Sequence, residues 1–182
     1  MWIAASVTSG YSNIAAYSYD GITWTGLGNT LGSSVTTVNI VAWNGQMWLA
    51  SGSGGVAYSY NGINWKNSVN GPYMISLAWN GLMWVGSGGT SFSYYSIDGM
   101  SWATSPLSPL DGGGDGAFVI WTGSLWLMGG YPSAAPRSHI NYSYDGINWS
   151  ATLGGQSALP SSAGLFNGGR IYSIATNGVI II

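Results

Sequence analysis

Few side chains in this sequence can move a proton, hold a metal or attack a carbonyl. Its 182 residues include five Asp, no Glu, two Arg, one Lys, one His and no Cys. Four of these groups fall in two irregular stretches. Asp111 and Asp115 lie in Ser105–Gly116, and Arg137 and His139 lie in Tyr131–His139. Brought together, they would form a small polar site for a sugar or a cation. Asp111-Gly112-Gly113-Gly114-Asp115 lacks the alternating oxygen ligands and closing Glu of a calcium loop. One His without Cys cannot supply a zinc site. A Ser-His-Asp triad would hang on His139 alone, without a nucleophile elbow. Glycoside hydrolysis needs two carboxylates at a fixed separation. The other acids, Asp20, Asp98 and Asp145, are spread along the chain in copies of one phrase. The expectation is a protein without catalytic residues, metal or cofactor.

Composition narrows the partners. Charged residues make up 4% of the chain, against about a quarter in ordinary soluble proteins. Lys66, Arg137 and Arg170 are dispersed, which excludes the basic patch that nucleic acid requires. No apolar run reaches the length of a membrane span, and Met1-Trp2-Ile3 lacks the basic start of a signal peptide. The surface must be wetted by Ser, Thr, Asn, Gly and Tyr, and such surfaces repel one another weakly. This composition fits an extracellular, cell-surface or virion-surface protein.

The elements that would position these groups are repeats. Ser18-Tyr19-Asp20-Gly21-Ile22-Thr23-Trp24 returns as Ser59–Trp65, with Asn61 for Asp, and again as Ser96–Trp102 and Ser143–Trp149. The Trp residues are 41, 37 and 47 positions apart. A second phrase alternates with the first: Ala42-Trp43-Asn44-Gly45-Gln46-Met47-Trp48, then Ala78–Trp84 around Asn80, Ile120–Trp126, and Leu165–Tyr172. Met1-Trp2 matches Met47-Trp48. Asn-Gly and Asp-Gly favour two-residue type I′ turns. That register places Tyr17 across from Trp24, Tyr58 from Trp65, Tyr95 from Trp102 and Tyr142 from Trp149. Asp20, Asn61, Asp98, Asp145, Asn44 and Asn80 are then structural turn residues. Each repeat holds four antiparallel strands A to D, and no segment has helical periodicity.

Four-stranded units at this spacing are the signature of an all-β propeller. The phrase resembles the Asp-box (BNR) repeat of the propellers that include sialidases, shortened so that Asp and Gly are adjacent. The resemblance covers nearly the whole chain. It implies the propeller fold, but not the sialidase activity: that chemistry uses an arginine cluster and acidic partners, and two Arg without Glu cannot provide them. A single domain of five blades is expected, with repeat units near 1–35, 36–71, 72–115, 116–157 and 158–182 and the first and last blades incomplete.

Incomplete blades leave strand edges. A neighbouring copy could complete them by strand addition, giving a ring or filament. The ordinary alternatives are closure of Val179–Ile182 on the chain's own N-terminus, or a longer parent chain. The A–B and C–D turns share one face, and insertions vary on the other, where binding usually lives. Tyr11, Tyr73 and Tyr131 are the aromatics outside repeated positions, and Tyr73 and Tyr131 are ligand-contact candidates. The sequons at Asn141 and Asn148 fall within repeated hairpins. The leading expectation is therefore a non-catalytic structural module whose partner is its own copies. The alternative is a glycan-binding propeller that uses the face of residues 105–116 and 131–139.

Overall fold

Strand alternation and tight turns dictate what forms. The computed structural model describes residues 1–7, 12–89, 92–106, 115–131 and 140–152. Among these residues every regular element is a β-strand, arranged as one three-stranded and three four-stranded antiparallel sheets. The first sheet has β1 (Trp2–Ala5), β2 (Ala15–Ser18) and β3 (Thr25–Gly26). The second has β4 (Ile40–Trp43), β5 (Trp48–Gly52), β6 (Gly55–Ser59) and β7 (Lys66–Asn67). The third has β8 (Ser76–Trp79), β9 (Trp84–Ser87), β10 (Ser93–Ser96) and β11 (Ala103–Thr104). The fourth has β12 (Asp115–Trp121), β13 (Trp126–Tyr131), β14 (Ile140–Ser143) and β15 (Ser150–Ala151). Each sheet is a meander in which chain neighbours pair.

Registers repeat between sheets. Trp2, Trp48 and Trp126 face Ser18, Ser59 and Ser143. Trp43, Trp79 and Trp121 face Trp48, Trp84 and Trp126. The three Trp–Trp stacks have ring centroids 4.9, 5.0 and 5.1 Å apart. These are the cross-strand aromatic pairs of the fold.

Two expectations about the turns are corrected. Tyr17 pairs with Thr25, Tyr58 with Lys66, Tyr95 with Ala103 and Tyr142 with Ser150, so each phrase Trp sits one position short of its expected Tyr. The turns are also not type I′, which needs positive φ at both central residues. In Asp20-Gly21, Asn61-Gly62, Asp98-Gly99 and Asp145-Gly146 only the Gly has positive φ. In the A–B hairpins Asn44 N donates to Met47 O at 3.2 Å, which makes Gly45-Gln46 the central pair. Gly45 alone has positive φ there, the type II′ pattern.

The chain forms two compact units. One comprises Met1–Ile75 with Ser96–Trp102, and the other comprises Ser76–Tyr95 with Ala103–Ile182. The first has a core of Ile14, Ala15, Leu31, Val35, Val38, Ala50 and Ala57. The second is built on Val85, Val119, Trp126, Met128 and Trp149. Burying one Trp removes on the order of 200 Å² from water, roughly 5 kcal/mol at 25 cal/mol/Å². Trp84 and Trp126 bury their indole N–H without a partner. That costs about 1–3 kcal/mol each, less than the burial gains.

Candidate functional site

The repeated phrase is a self-contained loop, and its acids are consumed inside it. The Ser18 hydroxyl donates to Asp20 Oδ1 at 2.9 Å and accepts the Gly21 N–H at 2.8 Å. Asp20 Oδ1 also accepts the N–H groups of Ile22 and Thr23, at 2.8 and 2.7 Å. The same four bonds recur around Asn61, Asp98 and Asp145. Asn44 and Asn80 play the shorter version, each accepting the N–H groups two and three residues on.

These bonds explain the acidities. The backbone N–H groups of Thr23 and Ile22, with the Ser18 hydroxyl, hold the Asp20 carboxyl below the usual carboxylate range. At Asp98 burial pushes upward, but hydrogen bonds from Ser101, Met100 and Ser96 outweigh it and the net shift is downward. At Asp145 burial again pushes upward, and bonds from Asn148, Ile147 and Ser143 bring the carboxyl down to about 2. A carboxylate held ionised by hydrogen bonds is a poor proton acceptor at neutral pH, which suits these residues to turn closure rather than general-base work.

The loops expected to hold a polar site are only partly described. Asp111, Arg137 and His139 lie outside the described residues, as do Tyr11 and the segment Val179–Ile182. Asp115 and Tyr131 are strand residues rather than loop residues, because they open β12 and close β13. They pair directly opposite each other, with a register shift between Gly116 and Phe118. The described ends of the two irregular stretches, Asp115 and Tyr131, thus lie side by side in the sheet. Tyr73 is exposed, in the connection between β7 and β8. Among the described residues no three His, Cys, Asp or Glu side chains gather as metal ligands. No helix there is long and apolar enough to cross a membrane. Asn141 is buried in β14, and Asn148 donates to Asp145 Oδ2 at 2.8 Å within its turn.

A site the sequence reading missed lies on the first repeat. Each later turn glycine is packed against the second strand of the preceding repeat. Gly62 has its Cα side against Met1 and Ile3. A methyl placed on Gly99 would come within 2.5 Å of Met47 Cε and 3.1 Å of Leu49 Cδ2. One placed on Gly146 would come within 2.8 Å of Val85 Cγ2 and 3.4 Å of Met83 Cε. Ser68 Oγ reinforces the second of these seats by donating to Gly99 O at 2.7 Å, and Val69 bridges Ser101. Around Gly21 the same test finds, among the described residues, only Trp2, at 3.6 Å.

The consequence is an uncovered apolar surface. Trp2 is 62% exposed, whereas its counterpart Trp126 is 0%. Trp24 is 44% exposed, against 8% for Trp149. Ile22 is 85% exposed, and Met1 is exposed beside β1. Among the described residues no strand pairs with the other edge of β1, where the remaining sheets have β4, β8 or β12. Aligning the copies places Trp2 and Trp24 at the positions of Trp126 and Trp149, the comparison that brings this surface out.

No protein-family model and no curated protein matches this sequence.

Proposed function

We propose that this chain is a non-catalytic structural module of the β-propeller type, which assembles with copies of itself on a virion or cell surface. One observation carries the reading: Trp2, Ile22 and Trp24 form an exposed apolar face on the first repeat, whereas Trp126 and Trp149, which hold the positions of Trp2 and Trp24 in the fourth, are buried. Exposed patches of this kind mark protein–protein contacts. The scarcity of charge supports the reading, because little repulsion opposes association. The turn carboxylates support the non-catalytic half, since each is tied into its own loop. The four meanders would be propeller blades, and a fifth incomplete blade would come from residues 158–182.

Light scattering across a wide concentration range tests the proposal. Discrete oligomers or fibres are expected, and a monodisperse monomer at high concentration would sink it. A glycan-binding reading is favoured by the exposed Tyr73 and by the pairing of Asp115 with Tyr131. It predicts glycan-array signals that Tyr73→Ala or Tyr131→Ala abolishes, and a blank array would remove it.

A further inference from the structure

Asn-Gly is a reactive pair as well as a turn former. The glycine nitrogen, unshielded by a side chain, can attack the amide carbon of the asparagine before it. Four such pairs lie within the described residues: Asn44-Gly45, Asn61-Gly62, Asn70-Gly71 and Asn80-Gly81. In three of them the amide is held. Asn44 Oδ1 accepts the N–H groups of Gln46 and Met47, at 2.9 and 2.7 Å. Asn80 Oδ1 accepts those of Leu82 and Met83, at 2.9 and 2.8 Å. Asn61 Oδ1 accepts those of Ile63 and Asn64 and the Ser59 hydroxyl. The nitrogen that would attack Asn61, that of Gly62, is itself engaged, donating to Ser59 Oγ at 2.9 Å. These bonds must break before the amide can turn onto the glycine nitrogen.

Asn70 differs. Its side chain is exposed and makes no hydrogen bond among the described residues. The fold also dictates both members of this pair. Asn70 has a positive φ of 52°, a conformation that asparagine tolerates better than most residues. At position 71 a side chain does not fit, since a methyl there would come within 2.8 Å of the Val56 backbone nitrogen in β6. The reactive pair therefore comes with the path of the chain between β7 and β8.

We propose that Asn70 is a site of spontaneous, backbone-assisted deamidation in the folded protein, and that the change loosens the adjoining contact with the third repeat. Solvent hydroxide takes the proton of the Gly71 N–H as that nitrogen bonds to Asn70 Cγ. The Cγ–Nδ2 bond breaks, and the amide nitrogen leaves as ammonia after taking a proton from water. Water then opens the cyclic imide. Opening at Cγ leaves aspartate, and opening at the main-chain carbonyl leaves isoaspartate, which carries an extra methylene in the backbone. Nothing is oxidised or reduced. Either product adds a negative charge to a chain whose formal net charge is −2. Isoaspartate also lengthens the backbone beside Val69. That residue donates its N–H to Met100 O at 2.6 Å and accepts the Trp102 N–H at 3.2 Å.

The test keeps dilute folded protein at mildly alkaline pH beside a sample unfolded in urea. Peptide mass spectrometry follows the mass gained when an amide becomes an acid, and fragmentation separates isoaspartate from aspartate. In the folded sample Asn70 should convert about tenfold or more faster than Asn44, Asn61 and Asn80, each of which must first give up at least a pair of hydrogen bonds. In urea the four rates should converge. An Asn70 no faster than the others in the folded protein overturns the assignment. So does the same ranking in urea, because local sequence rather than the fold would then set it. Amide exchange tests the consequence. The Trp102 N–H should exchange several-fold faster in the isoaspartate form, whereas Asn70→Asp, which adds the charge without the methylene, should leave its rate nearly unchanged. Unchanged exchange in the isoaspartate form overturns the loosening.

Discussion

The turn at Ser18–Trp24 and the turn at Ser143–Trp149 are chemically one loop in two settings. Both close on a serine hydroxyl and an aspartate oxygen, with the same donors at nearly the same distances. Their surroundings differ. Gly146 lies against Val85 and Met83, and Trp149 is buried, while among the described residues Gly21 meets only Trp2, and Trp24 is exposed. The internal bonding of the loop is therefore independent of its neighbour. The neighbour determines what the loop contributes to packing, and whether its apolar side chains remain available to another molecule.

Trp126→Ala against Trp2→Ala is the sharpest way to break this comparison. The first should lose about 3–5 kcal/mol of stability in urea unfolding, the usual cost of emptying a large buried site. At protein concentrations too low for assembly the second should lose less than about 1 kcal/mol, because Trp2 is largely in water. Equal losses would mean that Trp2 is covered. Glycine substitutions come next. Gly146→Val and Gly21→Val both force a β-branched residue to positive φ, at about 1–2 kcal/mol. Gly146→Val should cost about 1–3 kcal/mol more through overlap with Val85 and Trp126.

Smaller effects sharpen the comparison. Ser143→Ala strands the buried Gly146 N–H, so its urea midpoint should fall by the equivalent of about 1–2 kcal/mol. Ser18→Ala should cost less, since water reaches the exposed Gly21. Acid gives the smallest effect. The folded carboxyl of Asp145 lies below its unfolded value, so its contribution is complete above about pH 4 and is lost as pH falls toward 2. Exposure limits that loss to roughly 1 kcal/mol. Asp145→Asn should flatten the pH dependence of the urea midpoint between pH 5 and 2. Asn61 already closes its turn without a charge.

Much of the architecture was legible in residue spacing. The two phrases marked the A–B and C–D hairpins, though not the tight Ser53-Gly54 turn between β5 and β6, and their alternation set the strand order of each described sheet. Register was not legible. The rule that pairs Asn-Gly with a two-residue turn omits the side-chain oxygen. Asp20 Oδ1 captures the N–H groups of Ile22 and Thr23, which lengthens the loop and shifts Trp24 off Tyr17. The aromatic pairing that does form, Trp43 on Trp48, was hidden by a second register shift of the same origin at Asn44. At the candidate site, Asp115 and Tyr131 could be expected to lie together because two insertions flank one strand pair. The exposed first-repeat surface was harder to see, because Trp2 and Trp126 are both flanked by apolar residues in sequence. Only the repeat packed against them differs, and that is a property of order in space.

The three tryptophan stacks also give the molecule an optical voice. Two indoles held about 5 Å apart at a fixed tilt share their excited states, so each A–B hairpin should contribute an exciton couplet to circular dichroism. That signal comes from hairpin closure and is insensitive to the state of the outer strands. Melting followed at the couplet and melting followed at the amide band would then report different layers of the same sheets.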